Sequence, residues 1–110
     1  MVKSEVVETL AEYELEDANK HHPKYFASDH EAYAVIKEEL EEAEQEMREL
    51  SAGLDLMWSR IKWDESIEDN LIDLKRTAYF LIAEVVQVYA MCEKGLRTNA
   101  LKEVGNEQQG

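Results

Sequence analysis

From Ile67 to Cys92 apolar side chains recur at Ile67, Leu71, Leu74, Ala78, Leu81, Val85, Val88 and Cys92, in steps that alternate between 4 and 3. A strand repeats every 2 residues, so this spacing specifies one long helix with one continuous apolar seam. Continued to Lys94, that helix is about 42 Å long at ~1.5 Å per residue. A compact domain of this size has a radius of gyration of only about 13 Å. Part of the seam is therefore expected to meet a second copy of the chain.

The rest of the sequence points the same way. Only four glycines and one proline interrupt 110 residues, which favours long helices over a turn-rich β fold. The length suggests one domain, expected over residues 1–105 with a flexible tail at 106–110. A chain this short buries only about two-thirds of its unfolded surface, so association would add stability. At 45% apolar residues it is no disordered acidic segment. We see no internal repeat.

Ahead of the long seam, Val6, Leu10 and Tyr13 set a helix from Val2 to about Lys20. The stretch "KHHPKYFASD", with Pro23, reads as a connection. Its adjacent His21 and His22 are expected to face solvent, since neighbouring side chains point apart and no spaced carboxylate or thiol accompanies them. Ser28 and Glu31 form a capping box that opens a second helix. Its stripe is Ala32, Ile36, Leu40, Ala43, Met47 and Leu50. Gly53 is the expected stop, followed by a turn or two of helix in "LDLMWSRIKW" and caps for the last helix in "DES" at 64–66. Gly95 is the expected end of that helix, with a further turn or two beyond it.

The formal charge of −13 argues against non-specific binding of nucleic acid or an anionic membrane, both of which need a basic patch. A phosphate-bearing ligand stays open, because bound cations reverse a local field. Cys92 has no intrachain disulfide partner and is expected to be a buried, reduced thiol. The N-terminal residues show no apolar signal core, and no apolar run approaches the roughly 18 residues of a membrane span. A cytoplasmic location is the expectation.

The second helix concentrates acids in "KEELEEAEQE". With about 100° per residue measured from Ile36, Glu39 falls at about −60°, Glu46 at about −80° and Glu42 at about −120°. All three border one side of the apolar stripe. Glu41 has Lys37 and Glu44 has Arg48 four residues away, as ordinary surface pairs. Glu38, Glu42 and Glu46 instead form a ladder of like charges, with Glu39 beside it, that a hard divalent cation would relieve. On the last helix Glu84 and Gln87 border their seam in the same way, at about −60° and −120° from Leu81. Glu39-x-x-Glu42 and Glu84-x-x-Gln87 can thus face each other across two packed helices. A plain solvated helix face has the same pattern.

Two segments carry a resemblance. "HEAYAVIKEELEEAEQEM" (30–47) resembles the first helix motif of the MazG-like, all-α nucleoside triphosphate pyrophosphohydrolases, in their short single-domain form from phages and Gram-positive bacteria. "AEVVQVYAMCEKG" (83–95) resembles the second motif, with Glu84 in its leading position. The family usually carries Asp where this chain has Gln87, and 41 residues between Glu42 and Glu84 exceed its usual spacing. The resemblance implies an all-α, MazG-like helical bundle completed as a homodimer or homotetramer. It implies hydrolysis of a nucleoside triphosphate to the monophosphate and pyrophosphate with Mg²⁺, for which Mn²⁺ can substitute. Glu39, Glu42 and Glu84, with Gln87, would hold the metal, and Glu38 would orient water or accept its proton.

Phosphates need cations, and Lys75, Arg76, Lys94 and Arg97 lie on or just after the last helix. Lys94 and Arg97 equally suit its C-terminal dipole. Trp58, Trp63 and Tyr79 are candidates to stack on a base, although tryptophans at such positions more often fill a core or an interface. The sequence has no P-loop, dinucleotide-binding glycine turn or Cys/His zinc cluster. Three rivals stand beside the hydrolase: a non-catalytic helical interaction protein that keeps the scaffold, a di-iron carboxylate bundle, and an acidic mimic of nucleic acid. The di-iron class requires Glu-x-x-His, and none of His21, His22 or His30 has a glutamate three residues earlier.

Overall fold

The computed structural model describes residues 1–109, with side chains through Gly105. The tail expected at 106–110 falls on residues whose side chains lie outside this description. Three helices follow one another: α1 (Ser4–His21), α2 (Asp29–Lys62) and α3 (Glu68–Gln109), with no strand among the described residues. The all-α expectation holds. None of the helices is long and apolar enough to cross a membrane.

Local chemistry explains most of the boundaries. α1 ends at His22, whose extended backbone donates its N–H to the Ala18 carbonyl at 2.8 Å, and Pro23 bars continuation. The capping box works as read: Ser28 Oγ accepts the Glu31 N–H at 3.1 Å, while Glu31 Oε1 reaches back toward the Ala27 N–H. Ser66 Oγ accepts the Glu68 N–H at the start of α3.

Gly53 and Gly95 end nothing. α2 runs through Gly53 to Lys62, which absorbs the short helix expected after it, and α3 runs through Gly95 to Gln109. No described glycine has a positive φ. A Cβ at position 53 would stand 3.1 Å from Leu74 Cδ2, so the glycine allows a close helix approach. The actual stop of α2 is Asp64, at φ 52°. Its N–H bonds the Ile61 carbonyl and the Glu65 N–H bonds the Arg60 carbonyl, the two bonds of a Schellman ending. Asp tolerates this left-handed conformation less well than glycine. Asp64→Gly should therefore raise stability by about 0.5–1 kcal/mol, read as a higher midpoint in urea.

The described chain divides into two compact units. Of the described residues, the first comprises 1–39 and those from 86 onward, the second 40–85. The core of the first unit is Ala11, Leu15, Phe26, Ala90 and Met91, with Ala32, Val35 and Ile36 packed on it. Phe26 is fixed at both ends. Its N–H donates to Thr98 Oγ at 3.0 Å, and the Lys94 ammonium lies 4.5 Å from its ring centroid. Arg97 ties α3 to α1 by bonding Glu12 as well as Glu93.

The buried faces differ from those expected. Val6, Leu10 and Tyr13 of α1 are exposed, and the inward line is Val7, Ala11, Glu14, Leu15 and Ala18. On α3 the inward line of the first unit is Gln87, Ala90, Met91, Lys94 and Thr98, whereas Val85 and Cys92 face outward. Cys92 is thus an exposed free thiol, contrary to expectation.

The second unit is a helical hairpin with little interior. Ala43 and Asn70 are buried there, and the Asn70 Oδ1 finds no hydrogen-bond partner among the described residues. Leu40, Met47, Leu54 and Ile61 are all exposed and recur at steps of seven along α2. Leu71 and Val85, also exposed, lie fourteen apart on α3. Trp58 and Trp63 are 58% and 77% exposed, so neither serves as a core residue of a single chain.

Candidate functional site

α2 and α3 present the acids of the two sequence motifs to each other. Glu42 and Glu84 both belong to the second unit, and Glu39 stands one turn before Glu42 on the unbroken α2. Glu42 and Glu84 each offer a carboxylate oxygen, and these lie within 4.8 Å of each other. Glu39 and Glu84 are half-buried and Glu42 is exposed. The helical spacing explains the convergence: Glu39 and Glu42 are i and i+3, adjacent on one helix face.

Carboxylates this close repel one another, by roughly 1–4 kcal/mol per pair depending on how well water screens them. A divalent cation turns that repulsion into binding. The donor set consists of oxygen alone, which suits a hard ion such as Mg²⁺ or Mn²⁺ over Zn²⁺ or Cu²⁺. Opposite ligands of Mg²⁺ lie about 4.2 Å apart, so the observed spread is within reach of small side-chain adjustments. The residues present fit the ion that the resemblance implies.

Glu46, the last rung of the acidic ladder, is not among these three. Partial desolvation, followed by the charge and hydrogen bond of Glu49, pushes its carboxyl above the usual range. Glu38 is exposed and lines a cavity that belongs to the first unit.

That cavity has a volume of about 670 Å³. Phe26, Val35 and Met91 supply its apolar wall, and Glu14, Gln87 and Lys94 some of its polar groups. Gln87 hydrogen-bonds Glu14 at 2.6 Å. A carboxylate only accepts, so the amide nitrogen must face Glu14, leaving the Gln87 oxygen as the end that can take a donor or a cation. His21 and His22 are exposed as expected, yet both line the cavity.

The four basic candidates separate. Lys75 and Arg76 are exposed on α3 in the second unit. Arg97 is engaged by carboxylates; its hydrogen bond to Glu12 above all raises its pKa further, against a smaller opposing effect of desolvation. Lys94 is buried at 6% exposure and lines the cavity. Its role as a helix-end cation lapses, because α3 continues for fifteen residues past it. Tyr79 is 67% exposed and packs edge-on against Phe80.

The reading of the sequence missed Glu14 and Phe26. Glu14 left a signal: it sits on the Val7–Ala11–Leu15–Ala18 line, an acid among small apolar residues at helical spacing. Phe26 lies in a connection without periodicity, and nothing local announces its burial. No protein family, curated protein or solved structure matches this chain.

Proposed function

We propose that this chain is a Mg²⁺-dependent nucleoside triphosphate pyrophosphohydrolase of the MazG-like kind, acting on the cytoplasmic nucleotide pool. The observation that carries the reading is the approach of Glu42 and Glu84, acids of the two motifs, to within 4.8 Å, with Glu39 one turn before Glu42 on α2. Glu39, Glu42 and Glu84 would hold Mg²⁺ or Mn²⁺, with the Gln87 oxygen as a further candidate donor. The bound ion would neutralise phosphate charge and lower the pKa of water.

The chain's own groups do the rest. Water attacks the α-phosphorus as Glu38 accepts its proton, and the α–β bridging oxygen leaves with pyrophosphate. Lys94, and Lys75 or Arg76 by rearrangement, are the available cations for phosphate oxygens; Arg97 would first have to leave Glu12 and Glu93. Most of the catalytic effect in such a reaction comes from positioning and charge neutralisation.

Self-association belongs to the same proposal. The seven-residue line of exposed Leu40, Met47, Leu54 and Ile61 is a seam without a partner in one chain. Two such hairpins form a four-helix bundle, as a homodimer or as half of a homotetramer. Neither nucleic acid nor membrane is a proposed partner.

A second reading has one observation in its favour. Gln87, which stands where the family usually has Asp, spends its amide on Glu14, as in a scaffold that has given up a ligand. Such a protein would be a helical interaction module without turnover. A screen for pyrophosphate release over canonical and modified nucleoside triphosphates, with Mg²⁺ and with Mn²⁺, separates the two. The hydrolase reading expects metal-dependent release from at least one nucleotide, and the absence of release from all of them leaves the interaction module.

A further inference from the structure

We propose that the outer face of α1 docks on the basic stretch 72–82 of α3 in a second copy of this chain, and that this contact joins two dimers into a tetramer. The inference rests on the self-association proposed above and deepens it: the α2 seam makes the pair, and a second, charged surface assembles the pairs. It does not depend on hydrolysis.

Both faces are left open by a single chain. On α1, Val6, Leu10 and Tyr13 are exposed and lie within about 60° of one another around the helix. Glu5, Glu8, Glu12 and Glu16 run beside them and, with Tyr13, line a shallow groove. Glu12 is held by Arg97, whereas Glu5, Glu8 and Glu16 have no ion pair among the described residues. On α3, residues 74–83 contain Lys75 and Arg76 and no acid, in a chain that has 25. Ile72, Tyr79 and Ile82 are exposed on the same stretch. Measured from Ile72, Tyr79 falls at about −20°, Lys75 at about −60°, Ile82 at about −80° and Arg76 at about +40°, so the cations accompany the apolar line. Among the described residues neither Lys75 nor Arg76 has an ion pair or a side-chain hydrogen bond.

Charge complementarity names the occupant. Each face presents three apolar side chains, with free anions on one and free cations on the other. Their lengths are compatible, at about 10 Å from Val6 to Tyr13 and about 15 Å from Ile72 to Ile82. A chain of net charge −13 repels its own copies over most of its surface, and the stretch 72–82 is a place where an acidic face of a copy is attracted instead. The acids of α2 do not compete equally, because the exposed apolar line of that helix is taken up by the seam. The contact is small. A standard interface buries about 800 Å² on each partner, and two stripes of three side chains cover less. It therefore acts between copies already paired on the α2 seam, where the second contact forms at a high effective concentration.

The test is sedimentation velocity of the full chain at micromolar to tens of micromolar concentration. We expect a tetramer at low ionic strength that dissociates to dimers in about 1 M NaCl, where the screening length falls to ~3 Å. Lys75→Glu with Arg76→Glu should weaken the dimer–tetramer step at least tenfold, and Glu5→Lys with Glu16→Lys should do the same. All four changes together should restore it, because the charges are then exchanged across the contact. Lys24→Glu with Lys62→Glu has the same net charge as the first variant and should leave the step in place. Circular dichroism verifies that each variant folds. Should a charge-reversed variant not fold, Tyr13→Gln with Tyr79→Gln removes two apolar anchors and must weaken the same step. A parent that stops at the dimer overturns the proposal and leaves the α2 seam standing, with both faces open to partners of another kind. A tetramer that survives Lys75→Glu with Arg76→Glu, that the four changes fail to restore, or that the Lys24 and Lys62 control also dissociates overturns it as well. A monomeric parent removes the seam and this contact together.

Discussion

Glu39→Gln should lower pyrophosphate release by at least about 100-fold, and Glu42→Gln and Glu84→Gln by similar factors. Each change keeps the size of the side chain and removes one negative charge from the proposed ligand set. The change removes the repulsion that the replaced acid exerts on its acidic neighbours, and thermal melting verifies that each variant folds. Loss of activity with retained or raised stability is the signature of a ligand set, since a structural acid would show the reverse. The Mg²⁺ dependence adds a second criterion. Losing a ligand moves the Mg²⁺ concentration needed for half-maximal rate upward. Glu38→Gln should cut the rate by about 10²–10⁴ while leaving that concentration in place, because Glu38 is assigned a proton and not the ion. Steady-state rates across a Mg²⁺ series check both statements.

The second large effect concerns assembly. Met47→Glu combined with Leu54→Glu should convert the protein to a monomer at concentrations where the parent is a dimer or tetramer. Met47 and Leu54 are 53% and 54% exposed in one chain and lie in the middle of the seven-residue line. Burying a side chain of this size contributes about 1.5–3 kcal/mol. Two such side chains from each of two copies amount to several kcal/mol, more than a hundredfold in dissociation constant. The introduced charges add repulsion across the two-fold axis of a symmetric dimer. Sedimentation velocity at micromolar concentration reads the result directly. A parent protein that is itself monomeric at tens of micromolar would remove this part of the account. The hairpin of the second unit has almost no buried apolar residue besides Ala43, so helicity there should also fall in the variant.

These expectations show which parts of the molecule could be read in advance. Period and capping were legible: the Ser28 cap, the long α3 and the all-α class follow from local rules that tertiary packing leaves intact. Glycine was not. Gly53 carries the signature of a helix stop, but its neighbour across the hairpin is Leu74, and close approach keeps it helical. The stop passed to Asp64, a residue that leaves αR less readily than glycine, where the Asp64 and Glu65 N–H groups satisfy the Ile61 and Arg60 carbonyls.

The choice of face was half legible. The alternating seam of α3 marks one stripe, yet within the first unit the packed line is shifted to Gln87, Met91, Lys94 and Thr98. A buried lysine and threonine look polar in a sequence; only the Phe26 ring and the Phe26 N–H explain them. The same blindness hid Glu14, whose partner Gln87 lies 73 residues away in the chain. The acids of the candidate metal centre were legible because their placement depends on helical spacing alone. Their convergence required two helices to pair in one register, which the motifs suggested and spacing by itself left open.

The most direct test of the central claim is titration of the full chain with Mn²⁺, followed by electron paramagnetic resonance of the free ion. The account predicts saturable binding that Mg²⁺ displaces and that Glu84→Gln and Glu42→Gln each weaken at least tenfold. Binding of equal strength in the parent and in both variants would contradict it, because the ion would then be held by some other part of this acidic surface.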